Sequence, residues 1–184
     1  MQADLGQVAD IRRLFQETAE RFGHLDILVN NAGVAIYKPL AEATESDFDS
    51  TFALNTKGTF FAMQEAARRM ANGGRIVSIS TGGTVGGAPT GSFYTGSKAA
   101  VEQFTKALAK EIGERGITVN VVSPGFTDTE MLAKNPQFKE EGAKMSPLGR
   151  LGQPSDIADV VSFLVSEQGR WLTGQNIQAG GGVV

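Results

Sequence analysis

Tyr94 and Lys98 stand four residues apart in Tyr-Thr-Gly-Ser-Lys. On a helix that spacing puts both side chains on one face. A free phenol has a pKa of about 10, too high for efficient proton transfer near neutrality. A neighbouring ammonium favours the phenolate and lowers that value, so the pair can work as an acid/base unit. The same spacing is also common on solvated helix surfaces, where such a pair does nothing. The only histidine, His24, falls between a helix and a strand and reads as a surface residue, which argues against a histidine-based triad. With no cysteine in the sequence, thiolate chemistry, zinc–thiolate sites and disulfides are all excluded.

The elements that must position this pair follow from hydrophobic periodicity. Val8, Ile11, Phe15, Ala19 and Phe22 share a helical face that Gly23 ends. Residues 26–30 form a short apolar run that reads as a buried strand. A second helix is predicted to start at Thr44, with Asp47 placed to complete the cap. Its apolar stripe is Phe48, Phe52, Phe60, Met63, Ala67 and Met70, and Asn72-Gly73-Gly74 stops it. A strand over 75–80 leads into a glycine-rich loop, 81–91. A third helix carries Val101, Phe104, Leu108 and Ile112 and ends at Gly113 or Gly116, before a strand over 117–122. Residues 126–148, with Pro136 and Pro147, suit two short helices; Pro154–Ser166 suits a longer one and Asn176–Ala179 a last strand.

Strands alternating with helix-length spacers predict an α/β fold with a parallel sheet covered on both faces. In such sheets ligands bind beyond the carboxyl ends of the strands. Asn30-Asn31-Ala32-Gly33, the loop from Thr81 and Ser123-Pro124-Gly125 all follow strand ends, so they should line one crevice. The 184 residues are 41% hydrophobic and 20% charged, enough for a real core. A formal charge of −3 argues against nucleic acid as the main partner. No apolar run approaches the ~20 residues of a membrane helix, and no targeting segment is evident; the expected setting is soluble and cytoplasmic. The 23 glycines exceed the usual ~7% and imply many turns and close backbone approaches.

Taken together, Asn55 inside a predicted helix, Thr81 after a strand, Tyr94 with Lys98, Asn30-Asn31-Ala32-Gly33 and Pro124-Gly125 resemble the short-chain dehydrogenase/reductase family. The resemblance runs from Asp4 to Gly182. It implies a Rossmann-like, doubly wound parallel sheet and hydride exchange between NAD or NADP and a small-molecule carbonyl or alcohol substrate. Carried over by position, Tyr94 would be the general acid in reduction and the base in oxidation. Lys98 would lower the Tyr94 pKa and hold the nicotinamide ribose. Thr81 stands where the family usually has serine, and its hydroxyl can still donate to the substrate oxygen. Ser80 is the fallback, but on a strand it should face the other way. Asn55 would hold a water in a proton relay to Lys98. Asp4 and Leu5 would lie at the adenine, Asn31, Ala32 and Gly33 beside the ribose, and Pro124, Gly125, Thr127 and Thr129 at the nicotinamide carboxamide. The family also implies a homodimer or homotetramer. Plainer readings stand beside these: Asn31 as a brace of the sheet, Pro124-Gly125 as a bare turn, and Asp4 and Thr129 as helix caps. Trp171 and the helical phenylalanines read as core or interface.

The sequence departs from the family at its start. The family's Thr-Gly-x-x-x-Gly-x-Gly phosphate loop has no counterpart before Asp4. The expected fold is one incomplete Rossmann-like domain over 1–184, without the first three strands and their helices, roughly 55–60 residues. Residues 27–29 would then form an uncovered apolar edge prone to pairing with another chain. Residues 126–148 would shape the substrate pocket, and their Phe126, Met131, Leu132, Phe138 and Met145 suit an apolar substrate or a lid. Two alternatives remain beside the dehydrogenase: a non-catalytic assembly module built on helices 45–71 and 92–113, and a cofactor-retaining epimerase or lyase.

Overall fold

The computed structural model describes residues 1–133 and 137–184; the predicted Pro136 break lies outside them. The helices are α1 (Val8–Phe22), α2 (Glu45–Phe52), α3 (Thr59–Arg69), α4 (Gly83–Gly86), α5 (Ser92–Glu111), α6 (Glu130–Ala133), α7 (Gln137–Met145) and α8 (Pro154–Val165). The strands are β1 (Ile27–Asn30), β2 (Arg75–Ile79), β3 (Thr118–Pro124) and β4 (Asn176–Ala179). All strand pairings are parallel, in the order β1-β2-β3-β4. The α/β alternation read from periodicity is therefore the fold. No helix among the described residues is long and apolar enough to cross a membrane.

Strand alternation sends neighbouring residues to opposite faces. Ile76 and Val119 meet Ile11, Phe15, Met63, Val101 and Leu108 from α1, α3 and α5. Val77 and Val122 meet Leu164, Ile157 and Val160 from α8. The sheet is thus wound on both sides. Local signals behave as their chemistry requires. Gly23 closes α1 in the left-handed region at φ 80°. Thr44 and Asp47 form a reciprocal capping box on α2, and the Lys38 ammonium sits 2.5 Å from the same Asp47 carboxylate.

Several expectations change. The predicted second helix is two helices joined by a π-helical segment, Ala53–Gly58, which absorbs the awkward Asn55. A turn of helix, α4, interrupts the glycine-rich loop. Phe22, Phe48, Phe60 and Trp171 are exposed, Trp171 at 95%. Asp4 does not cap α1: Gln7 holds that position, and the Asp4 carboxylate instead accepts the Gly6 N–H at 2.8 Å. Residues 27–30 are not a buried strand but the uncovered apolar edge expected for 27–29. In register with β2, Val29 lies opposite Val77 on the α8 side, but α8 packs on β2, β3 and β4. Ile27 and Val29 are left 46% and 42% exposed at the sheet edge.

An exposed apolar edge is a template for association. Val29→Lys is expected to reduce self-association of the chain in light scattering while changing unfolding free energy by no more than about 0.5 kcal/mol. Unchanged association would show that this edge is not the adhesive surface.

Candidate active site

The carboxyl ends of β1, β2 and β3 bring three chain segments beside the first two turns of α5. Asn55 is fully buried. Its Oδ1 accepts the Val34 N–H at 2.9 Å, and its amide donates to the Val34 carbonyl at 2.8 Å and to Ser97 Oγ at 3.0 Å. Both amide protons are therefore used, and one Oδ1 lone pair remains. The π-helical turn is what aims this side chain at the β1 loop. It also brings Gly58 against the Leu5 carbonyl, where any Cβ would overlap the backbone.

Lys98 is 5% exposed, and its Nζ donates to the Ile79 carbonyl at 2.8 Å. Asn55 Oδ1 and Lys98 Nζ each lie 3.1 Å from where a Cβ on Gly33 would sit. Glycine at 33 therefore keeps open the space between them. Burial pulls the Lys98 pKa down to about 8. Tyr94, 7% exposed, is pushed up to about 12 by burial, with Tyr37 adding to the rise and a side-chain contact from Thr81 opposing it. The expectation that Lys98 lowers the Tyr94 pKa is not met in this chain. The ammonium is turned to the Ile79 carbonyl, and desolvation of the phenolate outweighs everything else.

The other predicted positions divide. Asn31 and Ala32 are exposed at the end of β1, open to a ligand. The Pro124 carbonyl accepts the Gly82 N–H at 2.8 Å, which joins the Thr81 loop to the end of β3. Gly125 is held by close backbone approach: a Cβ there would meet the Gly180 backbone at 2.8 Å. Thr127 and Thr129 turn their hydroxyls to the Gly125 and Thr127 carbonyls, and Thr129 Oγ1 also receives the Leu132 N–H at 3.5 Å, a loose cap. Asp4 is exposed and bonded within its own turn. Leu5 sets its carbonyl against Gly58 of the π-helical segment and packs against the core. Ser80 faces away from Thr81 and donates to Glu102. His24 is exposed and pairs with Asp26 at 3.0 Å.

Sequence reading names Phe126 and Phe138 for the pocket but misses Tyr37 and Ser97. Tyr37 packs its ring 5.7 Å from that of Tyr94, and Phe138 packs 5.5 Å from Tyr37. Phe126 lies 6.2 Å from Phe138, so an aromatic row leads outward from Tyr94. Met131 and Met145 are exposed and outside this row. Ser97, one residue before Lys98, fixes the Asn55 amide.

A family model described as enoyl-(acyl carrier protein) reductase matches residues 1–184. A hydroxynaphthalene reductase-like protein of Metarhizium majus is 43% identical, over 100% of this chain and 74% of its own length. The solved angucycline C-6 ketoreductase LanV with bound NADP is 42% identical with a TM-score of 0.92, covering 98% of this chain and 73% of that one. A short-chain dehydrogenase of Burkholderia cenocepacia in complex with NADP is 38% identical with a TM-score of 0.95, covering 100% of this chain and 75% of that one.

Proposed function

The chain belongs to the short-chain dehydrogenase/reductase family, and we propose that it interconverts a carbonyl and an alcohol with NAD(P), with Tyr94 as proton donor in the reductive direction. The observation that carries this is the convergence of Thr81, Tyr94 and Lys98 beside Asn55 and Gly33 at the carboxyl ends of the strands. A nicotinamide dinucleotide bound there would supply the hydride. Lys98 has three N–H donors and one partner among the described residues, and it faces the open Asn31–Gly33 turn. That unspent donor capacity fits the ribose hydroxyls of a nicotinamide nucleotide. Asn31, Ala32 and Gly33 would flank the ribose, and Pro124, Gly125, Thr127 and Thr129 the carboxamide. Asp4 and Leu5 are assigned to the adenine by position in the family alone.

The proton inventory can serve the reductive step. With its pKa at about 12, Tyr94 holds its proton throughout the neutral range. A phenol this weak as an acid can still donate to the oxygen of a ketone as that oxygen becomes a more basic alkoxide, whereas the reverse reaction needs the phenolate, which burial makes scarce. Thr81 donates to the same oxygen. The remaining Oδ1 lone pair of Asn55 can hold a water near Lys98 Nζ, from which the phenol is reprotonated.

The aromatic row of Tyr37, Phe138 and Phe126 favours a flat ring ketone, and residues 126–148 would form that wall of the pocket. Two relatives named for hydroxynaphthalene and angucycline support the same substrate class. The test is thermal melting with NADPH and NADH, followed by NADPH consumption against cyclic aromatic and linear aliphatic ketones. A rise in melting temperature with one nucleotide and turnover of the cyclic ketones are expected. No rise and no turnover would favour the second reading, an assembly module. The exposed Phe48, Phe60 and Trp171 favour that module and equally suit contacts in a homodimer or homotetramer.

A further inference from the structure

The hydroxyls on either side of Thr81 are both held by one carboxylate that none of the roles above uses. Glu102 Oε1 accepts from Ser80 Oγ at 2.6 Å and lies 2.7 Å from Thr84 Oγ1. Thr84 Oγ1 is also 2.9 Å from the Thr81 carbonyl, so its single proton is shared between the two acceptors. The Gly83 N–H reaches Thr81 Oγ1 at 3.3 Å from within the same turn. Glu102 is on α5, one helical turn beyond Lys98 and two beyond Tyr94, on the same side of the helix. Lys98 holds the Ile79 carbonyl. One helix therefore grips consecutive residues, Ile79 and Ser80, at the end of β2 and then Thr84.

We propose that Glu102 is the positioning residue that sets Thr81 against Tyr94. This rests on the roles assigned above to those two residues. Thr81 and Tyr94 come from different elements, a loop and a helix. The loop is rich in glycine and has little stiffness of its own. A carboxylate accepting two hydroxyls makes short, charge-assisted bonds, and placing it on the helix that carries Tyr94 makes Thr81 move with the tyrosine. Side chains held by such supporting bonds lose rate when the support is removed, because small misplacements of reacting groups are costly.

The test uses the sole tyrosine left after Tyr37→Phe, labelled with carbon-13 at Cζ, in the full chain. The Tyr94 resonance should shift in Glu102→Ala in the same direction as in Thr81→Val. The Glu102→Ala shift should vanish once Thr81 is valine, since the carboxylate acts through that hydroxyl. Glu102→Gln keeps an acceptor oxygen for Ser80 and Thr84 and should hold the parent resonance. Turnover in Glu102→Ala should fall roughly tenfold with the cofactor KM unchanged. An unmoved resonance, or an equal shift in the Thr81→Val background, overturns the proposal. If Glu102→Ala does not fold, Ser80→Ala with Thr84→Val breaks the same clamp and carries the same expectations. The resonance needs neither substrate nor nucleotide. A chain that reduced no ketone would refute the proposed reaction, while the resonance would still decide the role of Glu102.

Discussion

Tyr94→Phe is expected to lower kcat for ketone reduction by about three orders of magnitude, within the range that a lost general acid costs. The substitution removes one oxygen and keeps the ring. The packing of that ring against Tyr37 is retained, so KM and melting temperature should change little. A kcat within tenfold of the parent would show that another group supplies the proton. The pH profile offers a second check. The phenol, at about 12, keeps its proton well past the range where an ordinary tyrosine ionises, so it should contribute no basic limb near 10. The limb that does appear should fall near 8, where Lys98 loses its charge and the path that reprotonates Tyr94 is broken.

Lys98→Met is expected to abolish turnover and yet stabilise the fold at neutral pH. The lysine is buried, and its pKa drops from 10.5 to about 8 because the ammonium is poorly solvated there. That shift corresponds to about 3 kcal/mol of folding free energy lost while the amine is charged in both states. The unfolded chain binds the proton more tightly, so the penalty is full below pH 8 and fades as pH rises from 8 towards 10.5. Methionine fills a similar space without charge. It leaves the Ile79 carbonyl without its lysine partner, which costs about 1 kcal/mol. The net gain is about 2 kcal/mol at pH 7, shrinking at pH 10, as read by denaturant unfolding. A methionine variant less stable than the parent at pH 7 would mean that the Ile79 bond outweighs desolvation. Such a gain on removing a site residue is the usual sign of a group kept for function at the expense of stability.

The reach of sequence reading differs from element to element, for physical reasons. The helix over 92–111 is legible because its apolar residues repeat at helical spacing over many turns, and the strands at 75–79 and 118–124 because nearly every residue in them is buried. Thr44 with Asp47 and Gly23 are local chemistry, each bonding to backbone within a few residues, and appear where the motif places them. The π-helical turn at Asn55 is different. Asparagine inside a helix signals a conflict, but its resolution depends on Val34 and Ser97, which are distant in sequence. Periodicity alone reads residues 26–30 as buried, and it is the comparison with the family's strand order that exposes 27–29 as an uncovered edge.

The candidate site shows the same division. Spacing alone singles out Tyr94 and Lys98, four apart on one helix face, whereas Asn55 and Thr81 join them as candidates through the resemblance to the family. Their electrostatics could not be read that way. The i, i+4 spacing suggested that lysine lowers the tyrosine pKa, whereas burial raises one and lowers the other. The sequence by itself determined the α/β alternation and the caps at Gly23 and Thr44, because these rest on local periodicity and short-range hydrogen bonds. Tertiary structure decided the rest: the aromatic row from Tyr37 to Phe126, the grip of Glu102 on both sides of Thr81, and the burial that raises the Tyr94 pKa. Each of those depends on how deeply a group is removed from water and on neighbours that only the folded chain brings within reach.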